Sequence, residues 1–421
     1  MTFDSVIRSS WLREIVRTSV IGPFMDGFVA TVAQVGYTAG SLYGLVLGAT
    51  RFVRHLRDAG VRDAALLRDS HVEDFLATLP TYLCCNGYRM RHVAGTRGAH
   101  HLMAYLRAIG ITPPEPRPVR PYSWVLEEWV TFLRQHQGLA SASITMYRGK
   151  VEPFLADLGG DAAPDRFTTL TAERITRYLQ RRAPGCARRT RKDLVIALRC
   201  FLRFAWNRGW LARDLSDTLI RVPCFSQDRL PQGPKWADLA KLLTTVDWST
   251  GQGSRDFAVL LSLMTYGIRA SQLVGLSLDD LDWRASTMRV PAAKRGRRVE
   301  VPITPAVGNA LIGYLRVGRP KTAERRIFLS LDPPFRPLAR GSVYNIVSQA
   351  FRRAGIVTPH RGSHSIRHAW ATQAMAQGQG LKTIADLLGH RSLESTRIYA
   401  KVDMGQLRMV GLPWPAKAVQ S

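Results

Sequence analysis

The sequence predicts a mainly α-helical chain with one small β-hairpin or sheet in its last third, divided into three units. Three observations carry this reading. Apolar residues recur at i, i+3 and i+4 along most of the 421 residues, often closed by a glycine. Two proline-rich stretches, ITPPEPRPVRPYS (111–123) and RVPCFSQDRLPQGPKW (221–236), cannot continue a helix. Finally, TMRVPAAKRGRRVEVPIT (287–304) places β-branched runs on either side of a basic, glycine-containing turn, which is a hairpin signature. The expected units are therefore 1–112, 120–222 and 235–421, joined by semi-rigid linkers at 113–119 and 223–234.

The first two units look alike. Laid without gaps, 36–56 on 138–158 brings Gly36 onto Gly138, Ser41 onto Ser143, Leu42 onto Ile144, Phe52 onto Phe154, Val53 onto Leu155 and Leu56 onto Leu158. LMAYLRAIG (102–110) then falls on FLRFAWNRG (201–209). A duplicated helical module accounts for this, and two unrelated helical modules remain the alternative. The repeat also bears on Gly27–Thr50, a run without charge in which Gly36, Gly40, Gly44 and Gly48 recur every fourth position. Such a run is a candidate membrane span. It is diluted by Gly, Thr, Ser, Gln and Tyr and lacks the order of a signal peptide, so two helices with a turn near Gly36 are expected, and no membrane association.

Charge points to the partner. Lys and Arg number 59 against 32 Asp and Glu, a net +27, which for a folded protein implies a polyanion, nucleic acid first. The surplus is 5 over 1–120, 8 over 121–235 and 14 over 236–421, so no single tail explains it. The five cysteines (Cys84, Cys85, Cys186, Cys200, Cys224) are odd in number and show no C-x-x-C spacing. This argues for reduced, cytosolic thiols that pack as small apolar groups, and against a disulfide framework or a zinc ribbon.

In the last unit, WADLAKLLTTV (236–246) reads as a helix, and RDFAVLLSLMTYGIRASQLVGLSLDDLDW (255–283) as a second, buried one. GSHSIRHAWATQAMAQ (362–377) begins another after the hairpin. The ordered motifs GIRASQL (267–273), AAKRGRRVEVPI (292–303), HSIRH (364–368), LLGH (387–390) and Tyr399 resemble those of the tyrosine recombinase, or phage integrase, family over residues 236–415. The 120–222 unit resembles that family's helical core-binding domain. The resemblance implies a tyrosine-recombinase-like catalytic domain preceded by a helical, SAM-like core-binding module, and the internal repeat adds a second such module in 1–112, which the simplest members of the family lack.

It also implies a chemistry that the residues suit. Cutting and rejoining DNA without an energy source requires a side chain to hold the phosphate covalently, and a tyrosine hydroxyl can attack and later leave. Tyr399, nine residues beyond His390, is the candidate nucleophile; a core aromatic is the alternative. Arg269 and Arg367 are the candidate clamp for the charge that develops on the phosphate, since the planar guanidinium fork can bond two oxygens. Arg269 sits inside an apolar stretch, where an unpartnered charge is costly. Lys294, one lysine among arginines in the hairpin turn, matches the position of a general acid for the 5′ oxygen. A contact to the DNA backbone is its alternative role. His364 is expected as proton acceptor or hydrogen-bond partner at the tyrosyl-phosphate centre, and His390 as donor to a non-bridging oxygen. His360, His364 and His368 stand four apart, but Gly362 and Ser363 suggest that the helix starts only there, so neither a metal site nor any cofactor is expected.

One residue departs from the family pattern. Gln272 stands where the family has an acidic side chain, which removes a carboxylate expected to orient its neighbours. DNA-binding candidates are Arg188, Arg189, Arg191 and Lys192 in the second unit and Arg295, Arg297 and Arg298 in the hairpin. The expected partners are double-stranded DNA bearing specific recombination sites, other copies of the chain in a tetrameric synapse (monomer or dimer when free), and helper recombinases. The segment KVDMGQLRMVGLPWP (401–415) is a candidate for docking on a neighbouring copy. Two other functions fit the same residues: a monomeric topoisomerase, and a DNA-binding accessory protein with an inactive pocket.

Overall fold

The computed structural model describes residues 1–83, 89–91, 93–114, 120–159, 166–220, 222–223, 233–292 and 298–389. Among the sequence candidates, Lys294, Arg295, Arg297, His390, Tyr399, Cys84, Cys85, Cys224 and the segment 401–415 lie outside them.

The N-terminal module runs α1 (Phe3–Val6), α2 (Ser10–Arg17), α3 (Met25–Gln34), α4 (Ala39–Asp58), α5 (Asp69–Thr78), strands β1 (Thr81–Leu83) and β2 (Arg89–Arg91), and α6 (Val93–Ala108). The uncharged run is thus split: α3 stops, Gly36 takes φ +91, and Thr38 caps α4 by accepting the Ser41 N–H. Among the described residues no single helix is long and apolar enough to cross a membrane. Ser10–Arg17 and Gly22–Gln34 reach that length together, but they are bent by 109° and bury Ile15, Val16, Phe28 and Val29. The antiparallel pair β1–β2, with Thr81 opposite Arg91, is a correction to the sequence reading, which places strands in the last unit alone.

The middle module repeats the helical order with α7 (Ser123–Gln135), α8 (Ser141–Leu158), α9 (Ala172–Arg182) and α10 (Arg188–Asn207). In each module a 3-10 turn, Ala64–Leu66 or Phe167–Thr169, precedes the third helix of the set. The paired glycines also recur as left-handed breaks, Gly36 with Gly138 and Gly110 with Gly209. Phe52 and Phe154, aligned in the sequence, are fully buried in their respective cores.

The C-terminal domain contains α11 (Trp236–Thr244), α12 (Gly251–Tyr266), α13 (Ala270–Leu273), strands β3 (Leu281–Asp282), β4 (Thr287–Val290) and β5 (Val299–Pro302), and α14 (Pro305–Gly313). It closes with α15 (Arg340–Arg353), α16 (Ser363–Ala376) and α17 (Leu381–Leu387). The strands form one antiparallel sheet in the order β3-β4-β5, pairing Met288 with Val301 and Val290 with Val299. Alternation sets its faces: Met288, Val290 and Val301 are buried, while Arg289 and Glu300 face outward. The expected long helix over 255–283 is broken instead. Thr250 caps α12 at one end, and Gly267 ends it in the left-handed conformation (φ +58), returning its N–H to Leu263.

By contacts the chain forms two compact units, Glu115–Arg229 in one and Met1–Pro114 with Leu230–Ser421 in the other. Within the latter, the Tyr37 hydroxyl donates to the Pro333 carbonyl at 3.1 Å, and Arg97 lies 3.7 Å from Asp332. The Arg97 guanidinium also covers the Tyr37 ring at 5.8 Å.

Candidate active site

The break after α12 builds the site. A straight helix would carry residues 267–273 onward along the core, whereas the left-handed Gly267 turns the chain so that Arg269 becomes the N-cap residue of α13. Glycine is required here twice over. A Cβ on Gly267 would come within 2.8 Å of the Trp370 ring, and the positive φ penalises any other residue. Trp370 in turn donates its indole N–H to the Thr265 carbonyl at 3.1 Å, fastening α16 against the end of α12.

Further ties fix the segment 265–272. Arg367, on α16 and 4 % exposed, donates from Nη1 to the Gly267 carbonyl at 2.9 Å. Tyr266 donates to the Pro302 carbonyl at 2.8 Å and accepts the Thr304 N–H at 3.3 Å, which anchors the end of α12 to β5. Burial pushes the Tyr266 phenol pKa up, so it stays a neutral strut. Gln272 accepts the Arg269 N–H at 3.1 Å and donates to the Pro291 carbonyl at 2.9 Å.

The two arginines meet beyond α17. Arg269 donates from Nη1 to the carbonyls of Leu388 (3.1 Å) and Gly389 (3.5 Å), while Arg367 donates from Nη2 to Leu388 at 2.8 Å. Leu388 is the C-cap of α17, where helix carbonyls carry partial negative charge and attract cations. His390 follows Gly389 directly in sequence.

His364 completes the described part. With Gly362 as N-cap, α16 starts at Ser363, so His364 sits in its first turn and Arg367 one turn later on the same face. The protein packed around the His364 ring, then the positive charges of Arg367 and Arg269, hold its pKa below the ordinary histidine value. A neutral imidazole beside two guanidiniums can accept a proton. His368 is lowered by burial first and then by its neighbours His364, Arg367 and His360; His360 itself precedes the helix. Ser365 donates to the His360 carbonyl, which holds the chain at the helix start.

The structure therefore brings Arg269 and Arg367 from two separate sequence motifs onto the end of a third, with His364 one helical turn before Arg367. Strands β4 and β5 flank the segment that carries Lys294. Arg298 is exposed just before β5, and Arg188, Arg189 and Arg191 are exposed at the start of α10, with Lys192 partly covered. Arg189 pairs with Asp193 at 3.2 Å. Sequence reasoning missed Gly267, Trp370 and Tyr266 as parts of the site. The first was readable as a glycine closing an apolar run, and Trp370 as an aromatic close to Arg367 in sequence; Tyr266 is unusual beside the GIRASQL motif, but the sequence assigns it no role.

Comparison with known proteins identifies the family. Residues 237–406 match the model of the phage integrase family, and 126–209 that of the phage integrase N-terminal SAM-like domain. The chain is 35% identical over 325 residues to the putative integrase/recombinase y4rA of Sinorhizobium fredii, covering 76% of this chain and 78% of that one. It is 30% identical over 287 residues to the tyrosine recombinase XerC of Bacillus pumilus, covering 66% and 92%. A lambda integrase dimer bound to a COC' core site has a similar fold, with a TM-score of 0.53 at 16% identity over 82% of this chain and 99% of that one. Matched through both its helical middle module and its C-terminal domain, the chain belongs to the phage integrase, or tyrosine recombinase, family.

Proposed function

We propose that the protein is a site-specific DNA recombinase, acting as an integrase or transposase, that cuts and rejoins strands through a 3′-phosphotyrosyl intermediate. The observation that carries this reading is the convergence of Arg269 and Arg367 on the Leu388 carbonyl with His364 one helical turn away. Two guanidiniums held side by side suit the doubled charge of a phosphodiester in its transition state. In the proposed reaction the Tyr399 oxygen attacks the phosphorus, and His364 accepts the phenolic proton. The P–O5′ bond breaks as Lys294 gives its proton to the leaving oxygen, and His390 donates to a non-bridging oxygen. Attack by a free 5′ hydroxyl reverses each step and restores the tyrosine.

Domain limits of 1–112, 120–222 and 235–421 fit three separate apolar cores, one centred on Phe28 and Phe52, one on Trp129 and Phe201, one on Leu263 and Phe351. The first module is proposed to be a duplicate of the second, serving flanking DNA or assembly. Assembly of four copies on two sites, docking of 401–415 on a neighbour, helper recombinases and a place at the nucleoid belong to the same proposal. A plasmid carrying two copies of a candidate recombination site, chosen by searching the DNA beside the gene for inverted repeats, tests it. Recombinant circles that require both copies are expected. Relaxation of supercoils with no sequence requirement would instead identify a topoisomerase.

A further inference from the structure

Gln272 is 4 % exposed, and both ends of its amide are used. The oxygen accepts the N–H of Arg269, and the nitrogen donates to the carbonyl of Pro291. Chemistry fixes this orientation, because a backbone N–H can only donate and a peptide carbonyl can only accept. One side chain thus joins two parts of the site: the backbone of Arg269, and the residue that leaves β4 three positions before Lys294.

A carboxylate at this position could serve only half of that bridge. Its oxygens would accept from Arg269 but would face the Pro291 oxygen with no hydrogen to offer. The domain is therefore built for the amide, and the loss of the family's acidic residue is matched by a carbonyl placed to receive the donor that replaced it. Both partners are backbone groups, so the bridge constrains where the chain runs, independently of which side chains surround it.

We propose that Gln272 is a positioning residue whose amide, where a carboxylate would fail, locks the Arg269 backbone to Pro291, three residues before Lys294 in the sequence. The role in catalysis rests on the recombinase reading above; the bridge itself does not. Two variants of the full chain, Gln272→Glu and Gln272→Met, test both. The first readout is the thermal midpoint at pH 8 and at pH 5.5. In Gln272→Glu the new carboxyl is buried against a carbonyl, so its folded pKa should lie above the unfolded value of about 4.3; the penalty is full when the group is charged and fades as pH falls. The gap between Gln272→Glu and the parent should shrink on acidification, while the Gln272→Met gap stays constant. A Gln272→Glu gap that ignores pH, or no gap at all, overturns the bridge.

The second readout is the single-turnover rate of covalent adduct formation on a nicked DNA substrate at saturating protein. Gln272→Glu should be slower than the parent by about tenfold or more at pH 8, the effect of one lost hydrogen-bond donor, and should recover towards it at pH 5.5. Gln272→Met should be slow at both. Cleavage by Gln272→Glu at the parental rate at pH 8 overturns the positioning role. A parent that forms no adduct overturns the recombinase reading and the positioning role together, while the midpoint measurements still decide the bridge.

Discussion

Arg269 and Arg367, 98 positions apart in the chain, donate to the same oxygen, the carbonyl of Leu388, at 3.1 and 2.8 Å. Two guanidiniums are drawn to one acceptor because the helix end that supplies it carries partial negative charge. Substrate phosphate bearing a full charge would compete for the same N–H groups, so the carbonyl keeps the pair aligned without neutralising it.

The first prediction concerns that pair. Arg269→Lys and Arg367→Lys keep the charge and lose the fork, and each should slow strand cleavage by about 10²-fold, the usual cost of removing a transition-state donor. DNA affinity at matched salt should change little. Affinity that falls in step with the rate would reduce the arginines to general phosphate contacts.

The His364 environment gives a pH prediction. Its folded pKa is lowered by burial and by Arg367 and Arg269, so the unfolded chain takes up this proton first. Stability from the neutral imidazole is complete above the unfolded value of about 6.5 and is lost as pH falls from there through the lower folded value. Cleavage should decline over the same acid window, where the proton acceptor fills. His364→Gln should remove this acid limb from a pH–rate profile; a limb that persists unchanged in the variant assigns it elsewhere.

Gly267 is the backbone pivot of the site. Gly267→Ala should cost about 1–3 kcal/mol for the left-handed conformation alone, with more from displacing the Trp370 ring, which a Cβ would approach to 2.8 Å. Urea unfolding measures this directly. A change below about 0.5 kcal/mol, the range of ordinary surface substitutions, would mean that the helix break tolerates a side chain.

For the middle module, exposed Arg188 and Arg191 at the start of α10 are the proposed DNA contacts to remove. Replacing both with Gln should weaken binding equally on all sequences and reduce the slope of log affinity against log salt by roughly 1 for each arginine replaced. Adduct formation at saturating protein should be unaffected. An unchanged salt slope would take these residues off the DNA.

Local chemistry decides what the sequence can reveal. Periodicity and glycine placement make the split at Gly36, the start of α16 at Ser363 and the pairing of β4 with β5 legible, because each is set by residues close in sequence. The glycine at 267 is visible in the sequence, but apolar residues run past it as in a continuous helix, and the Trp370 ring that leaves no room for a side chain there lies 103 positions away. Gln272 looks like a deficit for the same reason. Its compensating partner is the carbonyl of Pro291, and a backbone carbonyl leaves no mark on sequence. The motif residues Arg269, His364 and Arg367 are identifiable as types, but the meeting of the two arginines on Leu388 depends on three elements packing together.

The central claim is that the Tyr399 hydroxyl forms the covalent bond to DNA. Incubation with a nicked half-site substrate, from which the cleaved fragment diffuses away, should trap a protein–DNA adduct that survives denaturing electrophoresis and maps by peptide mass to Tyr399. Tyr399→Phe should bind the same DNA and form none. An adduct that persists in Tyr399→Phe, or a wild-type protein that binds the site and never forms one, would contradict the account.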